Sequence, residues 1–274
     1  MSGLGPVRIE AYLRRVEYEG SGRPSGVQGL RRLHLAHMRR VPFENLDIHL
    51  GREIVLSEES LYRKVVEDRR GGFCYELNGL FAALLSALGF QVRLLSARVI
   101  GADGVSGPEF DHLALLVDVR GRQQLADVGF GDSFQEPLSL QSRTSQTQAS
   151  GTYRLEEAGG RKWSLLERTA GAVEEWRTCY SFTLEARRLD QFQEMCRHHQ
   201  TSADSPFTRN RMCTRATPVG RLSLSGMRTT ETIHGRRQQR ELEGEAEFWQ
   251  VAEKRFGICV PRGKQALPSV LSDK

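Results

Sequence analysis

The sequence has no apolar run approaching the roughly 20 residues that a membrane-spanning helix needs, which argues against an integral membrane chain. Its opening stretch, MSGLGPVRIEAYLRR, lacks an apolar core behind basic residues, so no secretory signal is expected and a cytoplasmic, reducing location follows. Cysteine is scarce and odd in number. Cys74, Cys179, Cys196, Cys213 and Cys259 form no CxxC pair and no Cys/His ladder, which speaks against a disulfide framework and against a metal site. The net charge of +5 comes mainly from arginines scattered along the chain rather than gathered in a stripe, so nucleic acid is not the expected partner. Repeats and low-complexity runs are absent too, and the most polar stretch, 141–151, reads as a loop between strands. What remains is a 274-residue chain, expected to fold as one large domain or as two to three lobes around a shared core.

The first ninety residues read as helices. Ile9, Tyr12, Leu13 and Val16 recur at helical spacing, and Leu30, Leu33, His37 and Met38 define a second amphipathic segment that Pro42 ends. Ser57 followed by Glu58 and Glu59 is an N-cap signature for a third helix. Leu77, Leu80, Phe81, Leu84, Leu85 and Leu88 mark a fourth, which Gly89 closes. From Phe90 the period changes to two. Strands are expected at 91–100, 112–119 and 124–128, with Arg120-Gly121 as the turn of a hairpin, and again at 152–155, 162–167 and 176–182, with a turn at Gly159-Gly160. The last third is mixed: a helix through Leu189, Phe192 and Cys196, short strands near Leu222–Leu224, and a helix over 245–256.

Arg69-Arg70-Gly71-Gly72-Phe73-Cys74 stands directly before the fourth apolar stripe, so Cys74 occupies a first helical turn. Unpaired amides and the positive end of the helix dipole favour a thiolate there, while the two glycines permit a tight turn and close approach by a substrate. A small buried core residue is the competing reading. Among seven histidines, His112 differs from the rest because it begins an alternating strand after the Gly-rich 101–110 loop, where a side chain is both rigid and reachable. A two-residue turn at Arg120-Gly121 would pair Val119 with Arg122 and set Asp127 diagonal to His112 on one face; a three-residue turn would send it to the other. The alternative for Asp127 is an aspartate bonded to turn amides ahead of Gly129. Thiol, imidazole and carboxylate together furnish acyl transfer through a thioester, with backbone amides at the helix start as oxyanion donors.

These residues resemble the arylamine N-acetyltransferases. The likeness is carried by Arg70-Gly71-Gly72-Phe73-Cys74, by 112–117 (HLALLV), and by Asp127-Val128-Gly129-Phe130-Gly131. It extends to 41–47 (VPFENLD) and to 205–208 (SPFT) through 223–226 (SLSG), five blocks in order between about Tyr12 and Phe256. The resemblance implies an α+β fold of helical bundle, β-barrel and α/β lid, divided near 1–89, 90–185 and 186–274, with a cysteine-proteinase-like Cys-His-Asp core. It implies acetyl-coenzyme A as acyl donor, no metal, and small arylamines, hydrazines or arylhydroxylamines as acceptors, in ping-pong chemistry. Cys74, His112 and Asp127 match the family's catalytic residues, Phe130 an acceptor-pocket aromatic, and Phe43 and Phe207 aromatics near the site. Gly107, Asp111 and Thr208 would lie beside coenzyme A, although Asp111 stands where relatives often carry threonine. The competing functions are an amide synthase closing a macrolactam from a carrier-bound polyketide, and a cysteine hydrolase. The oligomeric state is left open.

Overall fold

The computed structural model describes residues 3–20, 22–159, 161–168 and 175–260. Its N-terminal part holds α1 (Pro6–Arg15), α2 (Gly26–Arg40), the two-residue strand β1 (Phe43–Glu44), the single turn α3 (Leu46–His49), α4 (Glu58–Tyr62), which runs into a π-turn over Arg63–Glu67, and α5 (Cys74–Ala87). Ser57 caps α4 as expected, its hydroxyl accepting the Ser60 N–H. The expected fourth helix is thus the fifth, because the short α3 carries too few apolar positions to show a period. Helix α5 is buried along almost its whole length, from Cys74 to Leu85. It packs on two strands of the following sheet and on α1 and α4, so it is the hub of the largest apolar cluster.

Next come β2 (Gln91–Val99), β3 (His112–Val119), β4 (Arg122–Ala126), β5 (Leu138–Ser139), β6 (Gln146–Gln148), β7 (Gly151–Ala158), β8 (Lys162–Arg168) and β9 (Trp176–Thr183). They form one antiparallel sheet in the order β5-β4-β3-β2-β9-β8-β7-β6. Its two edges meet through a side chain: the Gln146 amide accepts the Ser139 N–H at 2.8 Å and donates to the Ser139 carbonyl at 3.1 Å. A glutamine thus imitates a strand and closes the curled sheet towards a barrel, which removes two exposed edges. Residues 146–148, read from sequence as loop, are this edge strand; three polar residues give no alternation to detect. Gly160 of the expected 159–160 turn lies outside the described residues, as does most of the chain beyond Phe256.

The final part contains a 3₁₀ turn over Leu189–Phe192, α6 (Gln193–Thr201), α7 (Pro206–Arg209), β10 (Met212–Thr217), β11 (Gly220–Ser225), β12 (Arg228–Ile233), β13 (Arg236–Glu241) and α8 (Glu245–Phe256). A second antiparallel sheet runs β1-β10-β11-β12-β13, so the first part of the chain donates the edge strand of the last. Phe43 pairs with Thr214 and Glu44 with Cys213. Helix α8 covers this sheet through Phe248, Ala252 and Phe256. No helix among the described residues is long and apolar enough to cross a membrane.

Candidate active site

The β3–β4 hairpin decides the site. Arg120 and Gly121 both have positive φ, 56° and 80°, the signature of a two-residue type I′ turn. Val119 therefore pairs with Arg122 and Leu115 with Ala126, and the next position along, Asp127, shares a face with His112. His112 Nε2 lies 2.7 Å from Asp127 Oδ2 with both side chains buried. Holding Nε2 on the carboxylate leaves Nδ1 as the nitrogen available for proton exchange.

Asp127 is saturated with donors. Tyr180 Oη reaches Oδ2 at 3.1 Å, and Oδ1 accepts from Asn78 Nδ2 at 2.8 Å and from the Gly129 amide at 2.9 Å. Burial pushes the Asp127 carboxyl up, but His112, Asn78 and the Gly129 amide outweigh it and hold the group below the ordinary aspartate value. Both sequence readings of Asp127 are thus met at once, imidazole partner and turn-amide acceptor. The Asp127 N–H donates to His34 Nε2 at 3.0 Å, and His34 Nδ1 bonds the Gln135 carbonyl at 2.8 Å, so one ring clasps both ends of the 127–135 segment.

Cys74 is the first residue of α5. Glu76 accepts the Phe73 N–H at 3.1 Å, which is the reach-back half of a capping box. The preceding turn is clamped by buried charges: Arg70 contacts Glu44 at 2.8 Å and Asp47 at 3.1 Å, while Lys64 lies 2.7 Å from both Asp47 and Glu76. A Cβ at Gly71 would collide with the Pro42 carbonyl, and one at Gly129 would sit 2.8 Å from Cys74 Cα. Backbone therefore packs tightly against the turn before the cysteine at Gly71 and against the cysteine itself at Gly129, a stricter reason for glycine than access by a substrate. The expectation of a favoured thiolate meets an opposing effect. Burial pushes the Cys74 thiol well up, the Leu113 amide pulls it down, and the Asp127 and Asp111 carboxylates raise it further. An isolated thiolate is disfavoured here, whereas proton transfer to a neighbouring imidazole makes an ion pair and avoids that cost.

Cys74 and His112 line one cavity of about 660 Å³, within the usual range for small-molecule sites. Phe43, Phe130, Phe207, Gly107 and Asp111 line it as well. Phe130 meets the His112 ring edge-on with centroids 5.1 Å apart, and Phe43 and Phe207 stand 6.2 Å apart. Thr208 is not among the lining residues; its hydroxyl donates to the Ser202 and Ser205 carbonyls and fixes the start of α7. Asn78 and Tyr180 did not stand out as site residues in the sequence, and neither did His199, which is buried against the cavity. Asn78 carried a signal, four residues after Cys74 on the same helical face. Tyr180 and His199 reach the site from distant segments and carried none. Among the described residues, no cluster of three or more His, Cys, Asp or Glu is arranged to hold a metal ion.

A family model described as N-acetyltransferase matches residues 26–265. The arylamine N-acetyltransferase / N-hydroxyarylamine O-acetyltransferase of Salmonella typhimurium is 38% identical over 258 residues, covering 92% of this chain and 89% of that protein. The Escherichia coli arylamine N-acetyltransferase is 33% identical over 269 residues, covering 93% and 90%. The Salmonella typhimurium enzyme structure superposes with a TM-score of 0.86 at 36% identity, over 94% of this chain and 93% of that one. The Mycobacterium marinum arylamine N-acetyltransferase in complex with CoA gives 0.83 at 32% identity, over 91% and 92%.

Proposed function

Because the chain belongs to the arylamine N-acetyltransferase family, we propose that it carries an acetyl group from acetyl-coenzyme A to arylamines, hydrazines or arylhydroxylamines by way of Cys74. The observation that carries this reading is the buried His112–Asp127 contact opening on the same cavity as the Cys74 thiol.

In the first half-reaction His112 Nδ1 takes the thiol proton as Cys74 Sγ attacks the acetyl carbonyl carbon. Asp127 holds the ring by Nε2 and stabilises the imidazolium that forms. The Cys74 and Tyr75 amides at the start of α5 are the proposed oxyanion donors; the Phe73 amide is given to the Glu76 carboxylate, and the Glu76 and Leu77 amides to the Phe73 carbonyl. Collapse expels the coenzyme A sulfur, which receives the proton from His112. In the second half-reaction the amine nitrogen attacks the thioester carbonyl and gives its proton to His112. The C–S bond then breaks and Cys74 recovers its proton. One site is used twice, which accounts for a single cavity that must admit both a pantetheine arm and an aromatic ring.

The proposed substrate-facing residues are Phe43, Phe130 and Phe207, and those beside coenzyme A are Gly107 and Asp111, with Thr208 acting through the turn that carries Phe207. In the three-lobed division, 1–89 supplies the nucleophile, 90–185 the base and its carboxylate, and 186–274 the aromatic lid. A reducing, cytoplasmic setting fits a mechanism that requires a free thiol, and all five cysteines are free.

Incubation with acetyl-coenzyme A tests the reading. The expected result is an intact-mass gain of one acetyl group, located on Cys74, lost on addition of an arylamine with formation of the N-acetyl product, and absent from Cys74→Ala. No adduct would overturn the reading, and no adduct with peptide cleavage in its place would favour the hydrolase.

A further inference from the structure

Two sheets contribute to the lining of the cavity. Residues 129–132, which follow β4 of the first sheet, line it together with 212–214 on β10, 223–225 on β11 and Phe43 on β1, all of the C-terminal sheet. Where the two meet there is little room: a Cβ at Gly131 would lie 3.6 Å from Thr214 Cγ2 and 3.7 Å from Phe43 Cγ. The join is made by Arg221 on β11, which is buried and is not itself among the lining residues.

Arg221 Nη1 donates to the Gly131 carbonyl and, at 3.1 Å, to the Thr214 hydroxyl, while Nε lies 2.6 Å from Asp132 Oδ1. One guanidinium thus holds two consecutive residues of the 129–132 turn and one residue of β10. Asp132 is largely exposed, so that ion pair is screened and weak in itself, and Arg221 Nη2 is buried without a hydrogen-bond partner. An apolar side chain of similar volume would avoid the cost of burying a guanidinium so incompletely answered, so stability alone does not account for an arginine here. What the arginine holds does. Phe130 directly precedes Gly131, its carbonyl accepts the Asp132 N–H at 3.2 Å, and its ring stands 5.1 Å from those of both His112 and Tyr180. An amine whose nitrogen reaches His112 lies beside that ring, and any shift of residue 131 moves Phe130 relative to Phe43 and β10.

We propose that Arg221 is a positioning residue that sets the width of the cavity beside the base, by tying the turn behind Phe130 to the C-terminal sheet, and so selects slim arylamines over those with bulky branched substituents. The inference rests on the acetyl-transfer reading and adds a specificity determinant to it. The pantetheine arm is a slender aliphatic chain and an arylamine a broad planar ring, so loosening the tie acts mainly on the second half-reaction.

Two acceptors that differ in bulk but little in electronic character, 4-methylaniline and 4-tert-butylaniline, test it in Arg221→Met and Arg221→Lys. The ratio of their kcat/KM values, methyl over tert-butyl, should fall about tenfold in Arg221→Met, chiefly through KM, while single-turnover acetylation of Cys74 slows by no more than about threefold. Arg221→Lys keeps a donor for the Gly131 carbonyl but not the fork that also serves Asp132, so its ratio should fall only about threefold. Amide hydrogen exchange over 129–134 should quicken in the same order, Arg221→Met before Arg221→Lys. An unchanged ratio or unchanged exchange in Arg221→Met would overturn the proposal, as would a loss in Cys74 acetylation as deep as the loss with the amines. If Arg221→Met does not fold, the same two measurements on Arg221→Lys decide, and wild-type values for both would overturn it. Wild-type protein that fails to acetylate Cys74 would instead overturn the acetyl-transfer reading and leave the exchange result to judge the tie by itself, so the two failures are distinguishable.

Discussion

His34 Nε2 accepts the backbone N–H of Asp127 at 3.0 Å across 93 positions of sequence, so a helix in the first part of the chain fixes the main chain that carries the carboxylate partner of His112. Burial pulls the His34 imidazole down to about 4, with the Gln135 carbonyl in partial opposition. The unfolded chain takes up this proton below about 6.5 and the folded one only near 4, so the stabilisation is complete above pH 6.5 and disappears as pH falls towards 4. His34 alone contributes about 3 kcal/mol over that window. Glu76 contributes with the opposite sign, because burial holds it up at about 7 against Lys64, and its share is lost as pH rises. The discriminating measurement is therefore the difference in urea-unfolding free energy between wild type and His34→Gln at pH 7 and pH 5. The difference should shrink at the lower pH; a constant gap would remove His34 from the account.

Asp127→Asn should leave the fold intact and slow acetylation of Cys74 by up to about 10⁴-fold, the loss found for the corresponding change in a serine triad. An amide at this position cannot serve Nε2–H, Tyr180, Asn78 and the Gly129 amide together, so the imidazole loses its orientation. Single-turnover mass spectrometry reads the rate directly, and wild-type acetylation would refute the role.

Gly129→Ala should cut turnover about 10²-fold while changing unfolding free energy far less, because its methyl group would press on Cys74 Cα and displace the nucleophile by a fraction of an ångström. Comparison of kcat with thermal stability checks it. Equal, large losses in both would mean that the helix start itself had come apart.

The buried Lys64–Glu76 pair permits a double-mutant cycle. Lys64→Met should destabilise by about 3–5 kcal/mol, since it strands the buried Glu76 carboxylate, and Glu76→Gln by less, since Lys64 keeps Asp47 at 2.7 Å; the double variant should lose markedly less than the sum. Additive losses in urea unfolding would show that the two groups act separately.

Much of this site was legible along the chain because its decisive relationships are local. Ser57 announced α4, and the Arg120-Gly121 turn set the parity that joins His112 to Asp127, since two-residue hairpins fix register. The helix start at Cys74 followed from a stripe of leucines. What escaped is held by contacts between distant segments. His34 looked like an ordinary member of an amphipathic helix, and Tyr180 like one more strand aromatic. The pairing of β1 with β10 rests on two residues, too few for a strand period. The ionisation of Cys74 was misjudged for a related reason: the helix dipole is visible in sequence, whereas complete burial is a tertiary fact that works against it.

The two residues of β1 are coupled to both neighbours. Phe43 and Glu44 pair with β10 on one side, and the Glu44 amide donates to the Gly72 carbonyl at 2.9 Å on the other. A swing of the C-terminal sheet away from the rest of the molecule would drag the 42–44 segment and with it the turn that carries the sulfur. The position of Cys74 is therefore tied through Gly72 and Glu44 to the placement of β10, so the start of α5 and the C-terminal sheet are held in one mechanical unit.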